Sequence, residues 1–189
     1  MSPFDYVSVL ISLILGLGIT YILTGVAGLI KHWGKLKIFY PYLIWILLVF
    51  IMHIHEWWET YSLKNLESWS LPLFLFTILY PIILFILANL IFPDSWIEEN
   101  FDLKTFYFLV FPKFFFFIIL LSLVAILQNI YLLNYCLKDQ IVQIIVLILF
   151  TGLLLWRTRN TIIHIAVVLL LLIILTGSLV ATNESFRIE

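Results

Sequence analysis

Residues 53–59 read His-Ile-His-Glu-Trp-Trp-Glu and gather two of the chain's four histidines and two of its eleven acidic residues into one stretch. Imidazoles and carboxylates this close together can bind a metal ion, move a proton or pair with a cationic ligand. Spacing narrows these options. At ~100° per residue, Val49, His53, Glu56 and Thr60 share one helix face, while His55 points almost oppositely, so the two histidines are not expected to grip one ion. His53 is then the nearest donor for Glu56, three residues away on the same face.

The helix motif of zinc hydrolases needs a second histidine where this chain has Glu59. No other histidine or acid stands at a matching depth, and no metal, cofactor or catalytic residue is expected. Haem fails on depth: His53 lies ~18 Å up its helix and His164 only ~4–6 Å into its own. His164 is expected to reach Asn89 instead, at a similar level.

Further polar groups lie on later helices. Gln128 and Asn129 fall ~22 Å from the start of their helix, close to the level of Glu56, and Gln143 enters the next helix from the same side. Ser122, Ala125, Gln128 and Asn129 share one face, as do Gln140, Gln143, Leu147 and Thr151. Amides withdrawn from water need partners, so these faces are expected to converge. The candidate site is an outer polar cluster of His53, Glu56, Gln128, Asn129 and Gln143. Two readings are open for it, ordinary hydrogen bonding between helices or a functional vestibule.

Six apolar blocks must position these groups, at about 6–30, 41–61, 72–92, 113–133, 139–157 and 161–181. A helix of ~20 residues crosses ~30 Å of hydrocarbon. The chain is 64% hydrophobic, against ~45–50% in ordinary soluble domains. Its apolar runs are continuous and do not alternate with period two, which points to helices and not to a barrel. The expected fold is all-α: a polytopic integral membrane protein whose residues 1–189 form a single six-helix transmembrane domain, with the lipid bilayer as its first partner.

Prolines and tryptophans mark the edges. Pro41, Pro72 and Pro112 stand at expected span entrances and Pro93 at an exit. Six of the seven tryptophans lie near expected span ends, and only Trp45 sits well inside a span. Residues 106–111 read as an interfacial elbow or as an extension of the fourth helix with Lys113 snorkelling, and the elbow is preferred because Pro112 stands between the two apolar runs. Pro81 lies within the third block, where its missing N–H leaves the Thr77 carbonyl without a helical partner and predicts a kink. In the first block Ser8, Ser12, Gly16, Thr20, Thr24 and Gly28 recur every four residues. Small side chains let another backbone approach, so this stripe is expected to be a helix-packing face, within the bundle or against another subunit, with a pore or ligand lining as the remaining reading.

Threading six spans puts Lys31, Lys35, Lys37, Lys104, Lys113, Arg157 and Arg159 on one side and Lys64, Lys138 and Arg187 on the other. The more basic side is expected to be cytoplasmic, with both termini non-cytoplasmic and the first block an uncleaved span. A net charge of −1 gives no electrostatic footprint for nucleic acid. Cys136 is the only cysteine, which excludes an intrachain disulfide. Segments 44–50, 76–83, 117–124 and 167–174, at the expected midplane, contain no charged or amide side chain, and this argues against ion-coupled transport. The first expectation is a channel or permeation-type protein acting as an oligomer. A non-catalytic membrane sensor or partner subunit is the alternative, and a lipid-modifying enzyme resting on His53 and Glu56 comes third.

Overall fold

The computed structural model describes residues 3–66, 68–94 and 101–182. They form α1 (Pro3–Lys31), α2 (Tyr40–Glu59), α3 (Leu71–Leu90), α4 (Leu103–Leu133), α5 (Ile141–Trp156) and α6 (Thr161–Thr182). Short 3-10 turns at Thr60–Asn65 and Leu137–Gln140 extend α2 and precede α5. Five helices are long and apolar enough to cross a membrane, and α6 adds a shorter apolar stretch over Thr161–Gly177. One apolar core draws on all six helices. Large side chains such as Leu13, Leu17, Ile30, Leu109, Ile148, Leu155 and Ile162 remain exposed around it. Glu98, Glu99, Trp96 and Arg187 lie outside the described residues, as do the side chains beyond Gly177.

Helix ends follow local chemistry. Pro41 and Pro72 occupy the first turns of α2 and α3, where a missing N–H costs nothing. Asp102 begins α4, its Oδ1 accepting from the Lys104 N–H at 3.1 Å and its Oδ2 from the Thr105 hydroxyl. The Thr105 bond holds this carboxyl below the usual carboxylate range. Asn134 (φ 56°) and Arg157 (φ 46°) close α4 and α5 in the left-handed region, a common helix ending.

Pro112 departs from its expected role. Helix α4 runs unbroken from Leu103 through Pro112 to Leu133, so residues 106–111 are its opening turns and not an interfacial elbow. Tertiary packing explains the difference. Tyr107, Phe108 and Phe111 are buried, and their rings surround His164 at centroid distances of 5.4, 5.0 and 5.1 Å. Burying three aromatic side chains offsets the ~3 kcal/mol that an interior proline costs a helix.

The same end of the bundle is tied by polar contacts. His164 Nε2–H donates to the Thr158 carbonyl at 3.0 Å, which leaves Nδ1 to accept from the Tyr107 hydroxyl at 2.7 Å. Asn89, the partner expected from depth, is not bonded to His164; it donates to Phe85 O of its own helix at 2.8 Å. Tyr42 donates to Ile91 O at 2.7 Å. Strands β1 (Leu36–Lys37) and β2 (Phe101–Asp102) pair in parallel, Leu36 with Phe101, joining two loops in a bridge absent from the all-α expectation.

The stripe on α1 is also corrected. Ser12, Gly16, Thr20 and Thr24 are exposed, Ser8 and Gly28 half-buried, and nothing lies within 4 Å of a Cβ placed on Gly16. Within this chain the stripe is therefore not a packing face. The buried line is Val7, Ile11, Leu15, Gly18, Ile22 and Leu29, and its five branched side chains remove more apolar surface than the glycines and hydroxyls of the stripe could. Gly18 and Gly25 are the close-packed glycines: a Cβ on the first would overlap the His53 ring, and on the second the Phe92 ring. Thr20 and Thr24 donate to Gly16 O and Thr20 O at 2.8 Å, so both threonine hydroxyls of the outward face are satisfied within the helix.

Candidate functional site

On α2, Trp45, Leu48, Met52, His55 and Glu59 fall at helical spacing along one stripe, with Glu56 at its edge, in an arc of about 100°. This stripe faces a two-part cavity. The deeper part, ≈ 240 Å³, is lined by Trp45, Leu48 and Met52 with Ile118, Leu121, Val146, Leu171 and Ile174. The second part, ≈ 320 Å³, is bounded by Glu56, Glu59, Gln128, Asn129, Gln143 and Tyr135. His55, Tyr80, Ala125 and Gln143 line both, so the two adjoin. Helix α5 packs on α4 and α6 on α2, and the deeper part lies between these pairs.

The floor is aromatic. Trp45 meets Phe114 and Phe150 edge-on at 5.0 and 5.9 Å, and Phe115 meets Phe150 at 4.8 Å. All four are buried. Such edge-on contacts pack the space between helices closely, and these rings lie between the cavity and the Tyr107–His164 end.

Four of the five expected site residues line the cavity: Glu56, Gln128, Asn129 and Gln143. His53 does not. It is fully buried against Gly18 of α1, and its Nδ1–H donates to Val49 O at 2.7 Å, leaving Nε2 without a partner. The Glu56–His53 pairing is thus replaced by another arrangement. His55 turns into the cavity, with Nε2 3.8 Å from Glu59 Oε1, beyond hydrogen-bond reach. Helical spacing puts Val49, His53, Glu56 and Thr60 on one face, but of these His53 and Val49 turn into the core and not into the cavity. The stripe through Trp45, Met52 and His55 was an equally regular signal, and Tyr80 of α3 had no signal of its own.

The amides divide between structural and open roles. Gln128 Nε2 donates to Phe76 O at 2.7 Å and Thr77 O at 3.2 Å. Thr77 O is the carbonyl deprived of its helical donor by Pro81, so α4 satisfies the gap in α3. Asn129 donates to Gln140 Oε1 at 2.9 Å, locking α4 to the start of α5. Gln143 Oε1 and His55 Nε2 are buried without hydrogen-bond partners, and both residues line the cavity. Among the described residues no three His, Cys, Asp or Glu side chains converge as a metal site would require. Searches against protein-family models, curated proteins and solved structures find no match.

Proposed function

We propose that this chain is a multi-pass membrane protein that works as a non-catalytic sensor or partner subunit, by taking an amphipathic molecule into the cavity between α2, α4, α5 and α6. One observation carries the reading: an apolar chamber opens directly into a chamber rimmed by carboxylates and amides. Ligand sites are typically about 300–1,000 Å³, mostly apolar, with a few polar groups that orient the guest. The apolar perimeter of the bundle supports a membrane setting, and bilayer-soluble molecules could then arrive laterally. An enzyme acting on lipid loses its basis when His53 and Glu56 do not share the cavity.

A second reading, an oligomeric channel, draws on the outward stripe of α1. Small residues with self-satisfied hydroxyls suit contact with another copy. Because the aromatic floor obstructs passage within one chain, such a path would run between copies.

Capture of a bilayer-resident probe tests the first reading. A single-chain amphiphile with a photoreactive diazirine at its tail end should label the deep lining, at Ile118, Val146 or Leu171, in protein reconstituted in nanodiscs. Ala125→Trp fills the junction of the two parts and is expected to reduce that labelling by about tenfold, while labelling at exposed Leu109 or Leu155 stays the same. Labelling confined to the perimeter in the unaltered protein would reject a ligand cavity.

Sidedness has its own test. Cysteines introduced at Lys35 and Arg159 are expected to resist an impermeant thiol reagent in intact cells, and one at Lys64 to react, in line with the positive-inside rule. The reverse pattern would invert the proposed orientation with both termini outside.

A further inference from the structure

We infer that the guest of this cavity carries a cationic, ammonium-type head on a single long apolar chain, an inference that rests on the amphiphile-binding reading and adds its chemical class. The polar part of the cavity carries two acidic side chains, Glu56 and Glu59, one helical turn apart, and among the described residues no Lys or Arg lines it. Glu56 has no ion-pair partner among the described residues, and Glu59 has only His55 at 3.8 Å. Lys64, on the following turn, sits 4.0 Å over the Tyr61 ring.

Four donors in the same wall are already engaged. Thr60 and Ser62 direct their hydroxyls to Glu56 O at 2.8 Å and Glu59 O at 2.6 Å. The amide N–H groups of Gln128 and Asn129 are held by backbone and by Gln140. Besides the acids, the unpartnered groups that line the cavity are Gln143 Oε1, an acceptor, and His55 Nε2, which lies 3.8 Å from Glu59. A phosphate, sulfate or carboxylate head would face two acidic side chains, with these four donors taken and no Lys or Arg in the described lining to pair with it. An ammonium would neutralise the acids, and removing charges from water is costly unless they are paired.

Two further features favour an organic cation over a bare ion. No three-ligand metal cluster forms here among the described residues, so the acceptors are spread over a wall and not focused on a point. Tyr80 and Tyr135 also line this part, and aromatic faces attract diffuse ammonium charge. From Glu56 to Trp45 the cavity face of α2 extends about 16 Å, all of it bordered by the apolar chamber on its inner half. That length suits an extended hydrocarbon tail beneath the head.

The experiment compares three diazirine-tailed probes of equal chain length, with trimethylammonium, phosphocholine and sulfate heads, in nanodiscs of phosphatidylglycerol alone. The trimethylammonium probe is expected to label the deep lining about tenfold more than the sulfate probe. Glu56→Gln with Glu59→Gln should erase that preference yet keep tail labelling, since the apolar chamber is untouched. Phosphocholine labelling equal to trimethylammonium assigns the cation to a lipid headgroup, and labelling by trimethylammonium alone assigns it to a free long-chain amine; both uphold cation recognition. Equal labelling by all three heads, or preference for sulfate, overturns the inference while leaving an amphiphile cavity in place. Deep labelling by none of them overturns the binding reading itself.

Discussion

Gly18→Leu is expected to destabilise the bundle by about 3 kcal/mol or more, whereas Gly16→Leu should change stability by less than about 0.5 kcal/mol. The two glycines are two residues apart on the same helix, with the same intrinsic helix propensity, so the substitution improves the helix equally at both. They differ in what a side chain would meet. At Gly18 even a Cβ collides with the imidazole of His53, and at Gly16 nothing lies within 4 Å. His53 cannot move aside cheaply, because its Nδ1–H is bonded to Val49 O and the ring is fully buried. Gly25→Leu should behave like Gly18→Leu, since Phe92 occupies the corresponding space. Unfolding in mixed detergent micelles, followed by loss of helical signal, reads all three. Comparable loss at Gly16 and Gly18 would mean that the stripe, and not the buried line of α1, carries the contact. A loss of oligomer in Gly16→Leu with monomer stability intact would instead support assembly through the outward face.

Gln128→Leu is expected to cost about 1–3 kcal/mol, the range for leaving a buried polar group unsatisfied. The leucine would keep most of the volume but remove the donor that reaches Phe76 O and Thr77 O. A double-mutant cycle with Pro81→Ala identifies the cause. Alanine restores the backbone N–H that Thr77 O lacks, so in that background Gln128→Leu should cost clearly less, with a coupling of about 1 kcal/mol. Additive losses would show that Gln128 contributes packing and not a substitute for the helix bond. Because Gln128 also lines the cavity mouth, the cycle separates its structural duty from any part in ligand binding: structural coupling to Pro81 persists without ligand.

The helices were legible because two local properties suffice to define them. Continuous apolar runs of helical length, and prolines at first turns, specify α1, α2 and α3 to within a few residues of the expected bounds. The convergence of Glu56, Gln128, Asn129 and Gln143 on one cavity was readable from depth, since an up-and-down threading puts those positions at one level. Pro112 was misread for the opposite reason. Its local rule was correct, but the buried rings of Tyr107, Phe108 and Phe111 outweighed it, and no local window contains the His164 they surround.

Composition and periodicity thus determined, by themselves, that this chain builds long apolar helices with polar groups gathered toward one end. A helix's existence depends on contacts within a few residues, which the sequence contains in full. Which side of each helix turns inward was decided only by tertiary structure. Two stripes on α2 were similarly regular, and so were two on α1. Their rotation is set by the total surface buried against neighbours: His53 into the notch left by Gly18, Phe92 into that left by Gly25, and Trp45 among Phe114, Phe115 and Phe150. A rotation of less than half a turn about α2 distinguishes a wall bearing His53 from one bearing His55 and Glu59, and so a possible acid–base pair from an acidic mouth above an apolar chamber.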